Sequence, residues 1–350
     1  MFEDFEYNKT IEDLIVFLLI KTIVSLLIFI FLILTYKDRF LNIDLNDNGN
    51  DIPINKQISN DKRKIKVCIC TLGKKENIYI REFISHYYSY GVDKIFLYDN
   101  NDINEERFES VLSDYIKKNN FVEILNYRGK TSPQFKIYDD CYKRNYKLYN
   151  WLIFYDIDEF IYLQNYSNIK EFLSLTIFEK CKSIYLNCIR HTDSDLLYYE
   201  NRSLVERFPE INWNSNMYTV KTILRGNLEG IIFKTTHWLD RRIKGCNVKG
   251  ETIIPNNNKK LINNINTSVV KKIHIDHYCF KSTEEFINKI NKSDGVFGYN
   301  DKIKMHKIKL YFGYNKLTLN KINYIEEKLK INLTEYKKIL YSEKYKPKIR

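Results

Sequence analysis

Three carboxylates fall within four positions at Asp156, Asp158 and Glu159, directly after the apolar run Trp151-Leu152-Ile153-Phe154-Tyr155. Five apolar or aromatic residues are too short to span a membrane and suit a buried strand of a covered sheet. In an open α/β sheet, ligands bind beyond the carboxyl ends of the strands, so the acids stand where chemistry is done. On an extended chain Asp156 and Asp158 would share a face, about 6.6 Å apart. Carboxylates so placed repel each other unless a positive charge lies between them, and a hard divalent cation with oxygen ligands meets that need. Asp-x-Asp alone also suits a polar turn after a strand. The buried run before it tips the reading to a metal site, with Asp158 the first ligand, Asp156 on the metal or a ribose, and Glu159 orienting its neighbours.

The elements around this stretch alternate. Ile65 to Thr71 reads as a strand, punctuated by Gly73, and 76–90 as a helix with Ile80, Phe83, Ile84 and Tyr87 on one face and Gly91 as its C-terminal cap. Lys94 to Tyr98 is a second strand, ending at Asp99. A helix near 104–118, a strand at Phe121 to Leu125 and a helix from Gln134 to Tyr149 lead into the Trp151 strand. This β-α-β-α-β order predicts a mostly parallel sheet with flanking helices and a nucleotide-binding half. Asp99, at a strand end, is then placed for the base or ribose of a nucleotide, though a turn Asp fits equally. Thr71 and Gly73 would line the pocket, Gly73 because a bare backbone admits close approach.

Beyond Asp158 the pattern loosens. Ser183 to Ile189, Val220 to Leu224, Ile231 to Thr235 and Lys271 to Tyr278 read as strands. Thr283 to Ile290 reads as a helix with Ser282 as N-cap, and 318–345 as one or two amphipathic helices. Strand alternation puts His274 and His277 on opposite faces. His277 follows Ile273 and Ile275 on the apolar side, where a satisfied core histidine is the commoner outcome.

Leu14 to Leu34 is an apolar stretch of 21 residues interrupted by Lys21, Thr22 and Ser25. Its apolar residues favour bilayer insertion by roughly 5–10 kcal/mol against about 3 for the lysine, so insertion wins. With no cleavage site behind it, the segment reads as an uncleaved single-pass anchor. Lys37 and Arg39 bias the chain beyond the span toward the cytoplasm, whereas sequons at Asn8, Asn165, Asn201, Asn266, Asn291 and Asn332 suit a luminal, Golgi or secretory placement. The polar segment 36–63 reads as a stalk.

Charge is uneven. The chain carries +12 net, while residues 1–13 hold five acids against Lys9. Residues 301–350 hold fourteen Lys or Arg against five acids. Seven cysteines show neither a C-x-x-C pair nor zinc spacing, and Cys68 and Cys70 read as small buried hydrophobes.

The motifs, taken in order, resemble those of GT-A glycosyltransferases of the family 92 and family 2 kinds. Val67 to Glu76 and His86 to Asn101 resemble the opening blocks, and Phe154 to Phe160 the metal-binding segment. Arg207-Phe208, Lys221 to Arg225 and His277 to Phe286 resemble the later blocks of family 92. The likeness spans 65–292. It implies a GT-A fold at 64–315, a nucleotide-sugar donor, a glycan or glycoconjugate acceptor, a divalent metal (Mn²⁺, with Mg²⁺ the alternative) and inversion at the anomeric carbon. It also favours His277 over the core-histidine reading as a metal ligand. Inversion needs a general base, for which His191, Asp193 and Asp195 are the candidates. Cys188 to Asp195 departs from the family pattern, in which an aromatic and a Phe-Gly-Ser-like run are expected.

Another class of function also fits the composition. The basic segment 316–350 could let a non-catalytic, membrane-tethered protein bind nucleic acid or anionic lipid. Tyr311, Phe312, Tyr314, Tyr324, Tyr336, Tyr341 and Tyr345 would then be available for stacking. No nucleic-acid fold motif accompanies them, so no nucleic-acid partner is expected. A glycosyltransferase fold that binds without transferring is a third reading, which the intact Asp-x-Asp opposes.

Overall fold

A computed structural model describes Thr22, 65–130, 134–213, 219–233, 245–253, 267–291 and 301–342. The chain divides into two units, Met1–Asn50 and Asp51–Arg350, and the sheet with its helices belongs to the second. The predicted anchor and stalk lie outside the described residues except for Thr22, which is helical. Among the described residues no helix is long and apolar enough to cross a membrane.

The alternating first half folds as its periodicity predicts. Strands β1 (Val67–Gly73), β2 (Lys94–Asp99), β3 (Val122–Asn126) and β4 (Trp151–Phe154) lie side by side in the order β3-β2-β1-β4, all parallel. Parallel strands need crossovers, supplied by α1 (Asn77–Ser89), α2 (Glu109–Asn119) and α3 (Gln134–Asn145). One face of the strands, with Val67, Ile69, Ile95, Leu97, Trp151 and Ile153, packs on Ile80, Phe83, Ile84 and Tyr87 of α1. Each such buried side chain contributes roughly 1.5–3 kcal/mol. The opposite face packs on Ile137, Tyr138 and Tyr142 of α3. Gly91 closes α1 at φ +76°, a conformation a Cβ would disfavour.

The second half makes the sheet mixed. It adds β5 (Glu159–Leu163), β6 (Ser183–Arg190), β7 (Val220–Arg225) and β10 (Ile273–His277), extending the order to β4-β7-β6-β10-β5. Strand β7 is antiparallel to both β4 and β6, β10 is parallel to β6, and β5 is antiparallel to β10. The short β8 (Gly245–Cys246) and β9 (Thr252–Ile253) hang from β6. Sequence periodicity missed β5. Only residues 155–158 separate it from β4, yet three strands lie between them in the sheet. Four strand spacings of about 4.8 Å exceed what a hydrogen-bonded turn of that length spans, so the sheet must curl to bring its far edge back. Ile231 to Phe233 contributes no named strand, and instead the Phe233 N–H donates to Asp139 Oδ1 on α3 at 3.0 Å.

Smaller helices fill the second half: α4 (Ile169–Leu173), α5 (Leu204–Arg207), α6 (Thr267–Lys272) and α7 (Thr283–Asn291). Ser282 and Glu285 cap α7 reciprocally, the Glu285 N–H donating to Ser282 Oγ and the Ser282 N–H to Glu285 Oε2. Helices α8 (Asp301–Tyr314), α9 (Leu319–Leu329) and α10 (Thr334–Tyr341) then share one apolar core with α7, built on Phe286, Ile308, Tyr311, Ile322, Ile325 and Leu333. The boundary expected at 315 therefore runs through a packed cluster, and the described part of 316–350 is no separate tail. Several aromatics of these C-terminal helices are engaged internally. Tyr311 stacks on Phe286, Phe312 meets Tyr336, Tyr314 lies against Arg190 and Tyr324 against Tyr198. Tyr345 lies outside the described residues.

Two disulfides, Cys70–Cys141 and Cys181–Cys246, tie β1 to α3 and the loop before β6 to β8. Cys70 is thus a cross-link rather than a small hydrophobe, while Cys68 is the free, buried thiol expected.

Candidate active site

The curled sheet gathers five strand ends at one edge. The carboxyl ends of β4, β6 and β10 meet the amino ends of the antiparallel β5 and β7. Asp156, Asp158, Glu159, Arg190, Lys221 and His277 sit on or beside those ends. The acids do not follow one another along an extended strand as expected. Asp156 to Glu159 forms a turn in which the Glu159 N–H donates to the Asp156 carbonyl at 3.1 Å and the Asp156 N–H to Glu159 Oε2 at 3.0 Å. The turn sends the two aspartates to different partners.

Asp156 continues the α3 face of β4. Its Oδ1 accepts from Gln134 and, at 3.2 Å, from the Tyr138 hydroxyl, while Oδ2 accepts from Lys221 Nζ at 2.7 Å. Lys221 is sealed in the sheet and also meets Glu159 Oε2 at 3.1 Å. Burial works against its ammonium, but Asp156 and Glu159 hold its pKa well above the usual lysine range. Burial also opposes ionisation of Asp156, yet Lys221 keeps that carboxyl below its ordinary value.

Asp158 faces the other way. Its Oδ2 accepts from Lys289 Nζ on α7 at 2.6 Å, and its Oδ1 lies 3.5 Å from His277 Nε2. His277 Nδ1 points toward Glu159 Oε1 at 3.8 Å. Both of these atoms are buried without a hydrogen-bond partner. Burial pushes the His277 pKa down, with Asp158 opposing, which favours a neutral ring bearing a lone pair. Burial pushes the Glu159 carboxyl up to about 8, Asp156 and Asp158 adding to the rise and Lys221 opposing it. Burial disfavours the Asp158 carboxylate, but Lys289 and His277 hold its pKa well below the usual range.

A family model described as glycosyltransferase family 92 matches residues 63–242, more than half of the chain. The chain belongs to that family. A family 92 glycosyltransferase of Ricinus communis is 27% identical over 110 residues, a match covering 30% of this chain and 19% of that relative. Among solved structures, GalNAc-T7 with UDP, GalNAc and Mn²⁺ is 15% identical over 38% of this chain and 24% of its own, at a TM-score of 0.30. The mannosyltransferase PcManGT from Pyrobaculum calidifontis, in complex with GDP-Man and Mn²⁺, is 8% identical over 50% of this chain and 53% of its own, also at 0.30. The inositol-1-phosphate CTP transferase from T. maritima is 9% identical over 46% and 71%, at 0.26.

Within this family 92 domain the other sequence candidates have their own partners. Asp99 is buried. Its Oδ2 is bonded to Arg128 at 2.7 Å and its Oδ1 accepts from the Asn101 backbone and side chain at 2.9 and 2.8 Å. Arg128 in turn donates to the carbonyls of Asp102, Ile103, Glu105 and Glu106, so the pair shapes the loop after β2. Thr71 is buried, and its Oγ1 has no hydrogen-bond partner. Gly73 is packed by side chains, since a Cβ there would lie 2.5 Å from Phe108 Cζ and 2.7 Å from Ile157 Cδ1.

The three base candidates hold the second half together. The His191 ring is buried between the Phe208 carbonyl at 2.6 Å and Asp276 Oδ1 at 2.8 Å. Asp193 is bonded to Lys321 of α9 at 2.7 Å and accepts from Tyr311 of α8 at 2.5 Å. Asp195 meets the same Lys321 at 2.8 Å. His191 reaches the Asp158 and His277 cluster through its backbone, the N–H donating to the His277 carbonyl at 3.1 Å, while its ring faces away from it. His274 is turned away from it as well, its Nε2 on Asp276 at 3.1 Å and its Nδ1 on the Val270 carbonyl at 2.7 Å. Sequence reasoning missed Lys221 and Lys289, because lysine abundance in this chain hides the two placed against Asp156, Glu159 and Asp158.

Proposed function

We propose that this chain is a GT-A glycosyltransferase that moves a sugar from a nucleotide-sugar donor to a glycan or glycoconjugate acceptor. In this reading it acts with inversion and with a divalent cation held by Asp158 and His277. The observation that carries it is the His277 imidazole between Asp158 and Glu159, with Nδ1 and the facing Glu159 Oε1 both buried and unpartnered. A carboxylate oxygen and a neutral imidazole nitrogen suit manganese, with magnesium the harder alternative. Among the described residues no three His, Cys, Asp or Glu side chains are grouped to hold a metal alone.

A bound divalent cation would neutralise the charge that develops on the departing nucleoside diphosphate. The chain's own residues prepare that event. A small inward movement of the ring would let the His277 Nδ1–H donate to Glu159 Oε1 and leave the Nε2 lone pair facing Asp158, as an oxygen acceptor behind a ligating histidine does. Lys221 keeps Asp156 ionised and clamps the turn. Asp156 stays a third exposed, open to a ribose hydroxyl. His191, Asp193 and Asp195 are occupied by structural contacts, and none of them is assigned the role of base.

The same reading places a membrane anchor at 14–35 and the domain on the secretory side of a bilayer. The two disulfides favour an oxidising compartment, and the sequons at Asn165, Asn201 and Asn332 are exposed. A screen of nucleotide-sugars for donor hydrolysis, with and without Mn²⁺, tests the activity. One donor should be turned over in a metal-dependent way, and no turnover of any donor would sink the reading. In Asp158→Asn, metal-dependent binding of the matching nucleoside diphosphate should fall at least about tenfold, roughly 1.4 kcal/mol.

A further inference from the structure

Asp156 and Asp158 are each paired with a lysine, and the two lysines differ in access to solvent. Lys221 rises from the middle of the sheet with 0% of its side chain exposed, and it serves Glu159 as well as Asp156. Lys289 comes from the last turn of α7 with 40% of its side chain exposed. Its ammonium donates to Asp158 Oδ2 at 2.6 Å and to the Cys279 carbonyl at 3.2 Å. An ion arriving from solvent cannot replace the first ammonium without opening the sheet. It can replace the second by a rotation of one flexible, four-carbon side chain.

Charge decides whether both cations can stay. Asp158 carries one negative charge, and keeping both an ammonium and a divalent cation on it would leave excess positive charge beside a buried imidazole. Lys281 and Arg190 already add positive potential here, acting on Asp158 and His277 respectively. Like charges this close cost more than the pair gains. We propose that Lys289 is a resident counter-cation of Asp158 which the incoming divalent cation displaces, and that the freed ammonium then takes up the donor's diphosphate. The inference rests on the donor site proposed above. It gives one lysine two roles: it holds the empty site neutral, and it makes metal binding and diphosphate binding mutually supportive.

The test uses the full chain and the variants Lys289→Met and Lys289→Gln, which keep much of the length and lose the charge. Mn²⁺ alone is titrated first, followed through the electron paramagnetic resonance of the free ion. UDP is then titrated at saturating Mn²⁺, as a probe diphosphate. Both variants should bind Mn²⁺ alone at least about fivefold more tightly than the wild type, because a competing charge is gone. Both should bind UDP at least about threefold more weakly, because an ammonium contact is gone. Measurable but equal Mn²⁺ affinity in all three proteins would overturn the role of Lys289 and leave the metal site standing. No Mn²⁺ binding by any of them would overturn the metal site and this inference together. Tighter Mn²⁺ binding with unaltered UDP binding would overturn the transfer of Lys289 to the diphosphate.

Discussion

Glu159 Oε1 and His277 Nδ1 stand 3.8 Å apart across the paired strands β5 and β10, both buried and neither hydrogen-bonded to another group. Two orphaned polar atoms facing each other cost stability, and a small inward movement of the ring would join them. The register Glu159↔His277 sets the encounter, so the backbone fixes it before any ligand arrives.

Glu159→Gln is expected to weaken Mn²⁺ binding by about tenfold, because the amide is a poorer acceptor for the Nδ1 proton and no longer fixes the tautomer. His277→Ala should weaken it at least as much, and His274→Ala far less. A metal titration of the three side by side checks this. An equal or larger loss at His274, whose ring is held by Asp276 and the Val270 carbonyl, would remove His277 from the site.

The cross-link between Cys70 and Cys141 encloses 71 positions of sequence separation and pins α3 to β1. Cys141→Ser should lower stability by about 2–5 kcal/mol, read from the denaturant midpoint under oxidising conditions. Adding a reductant should lower the wild type by more than the variant, since both lose Cys181–Cys246 and only the wild type also loses Cys70–Cys141. Helix α3 also carries Gln134 and Tyr138, which hold Asp156. A wild type insensitive to reductant would show that this pair is not formed.

Much of the first half was legible because its signals are local. Predicted and observed strands agree closely at β1, β2, β3 and β4, where continuous apolar runs are bounded by Gly, Asp or Asn. Strand β5 was not legible, since Glu159 begins it and the Asp-x-Asp-Glu cluster masked the onset. Its partner β10 lies more than a hundred residues further on, and only the curl of the sheet makes the pairing possible. The site divides in the same way. Asp158 is singled out by its motif and His277 by the family resemblance, alternation alone favouring a core histidine. Lys221 and Lys289 acquire meaning only when tertiary structure sets them against the acids. Asp193 and Asp195 looked chemical because acids in a loop often are, but their partner Lys321 comes from α9, far along the chain.

His86 supplies a pH dependence of its own. Its Nε2 lies 3.1 Å from the Ile161 carbonyl, and its ring stacks on Tyr90 and meets the edge of Phe160. Burial pushes its pKa down to about 4, with Asp276 and the carbonyl opposing. The unfolded chain, at an ordinary histidine value near 6.5, therefore takes up this proton before the folded one does. The contribution is complete above about pH 6.5 and is lost as pH falls toward 4, by about 2 kcal/mol given the partial exposure of the ring. His86→Gln should flatten the stability curve in that window. An unchanged slope in the variant would assign the dependence to other groups.

Gly73 ends β1 beside the acid turn, and the sequence suggests it is bare so that a nucleotide can approach. The packing gives another reason, because Phe108 and Ile157 fill the space where a Cβ would go. Gly73→Ala is expected to destabilise the fold by about 1–3 kcal/mol through overpacking. Ile157 lies between Asp156 and Asp158, so the same strain should reach the site and weaken UDP binding in the presence of Mn²⁺. Phe108→Leu removes the closest atoms, and the double variant should recover much of the stability lost to the alanine. If packing is the whole role of Gly73, UDP affinity recovers along with stability. A double variant that regains its denaturant midpoint but not its UDP affinity would show that the nucleotide itself presses on this backbone.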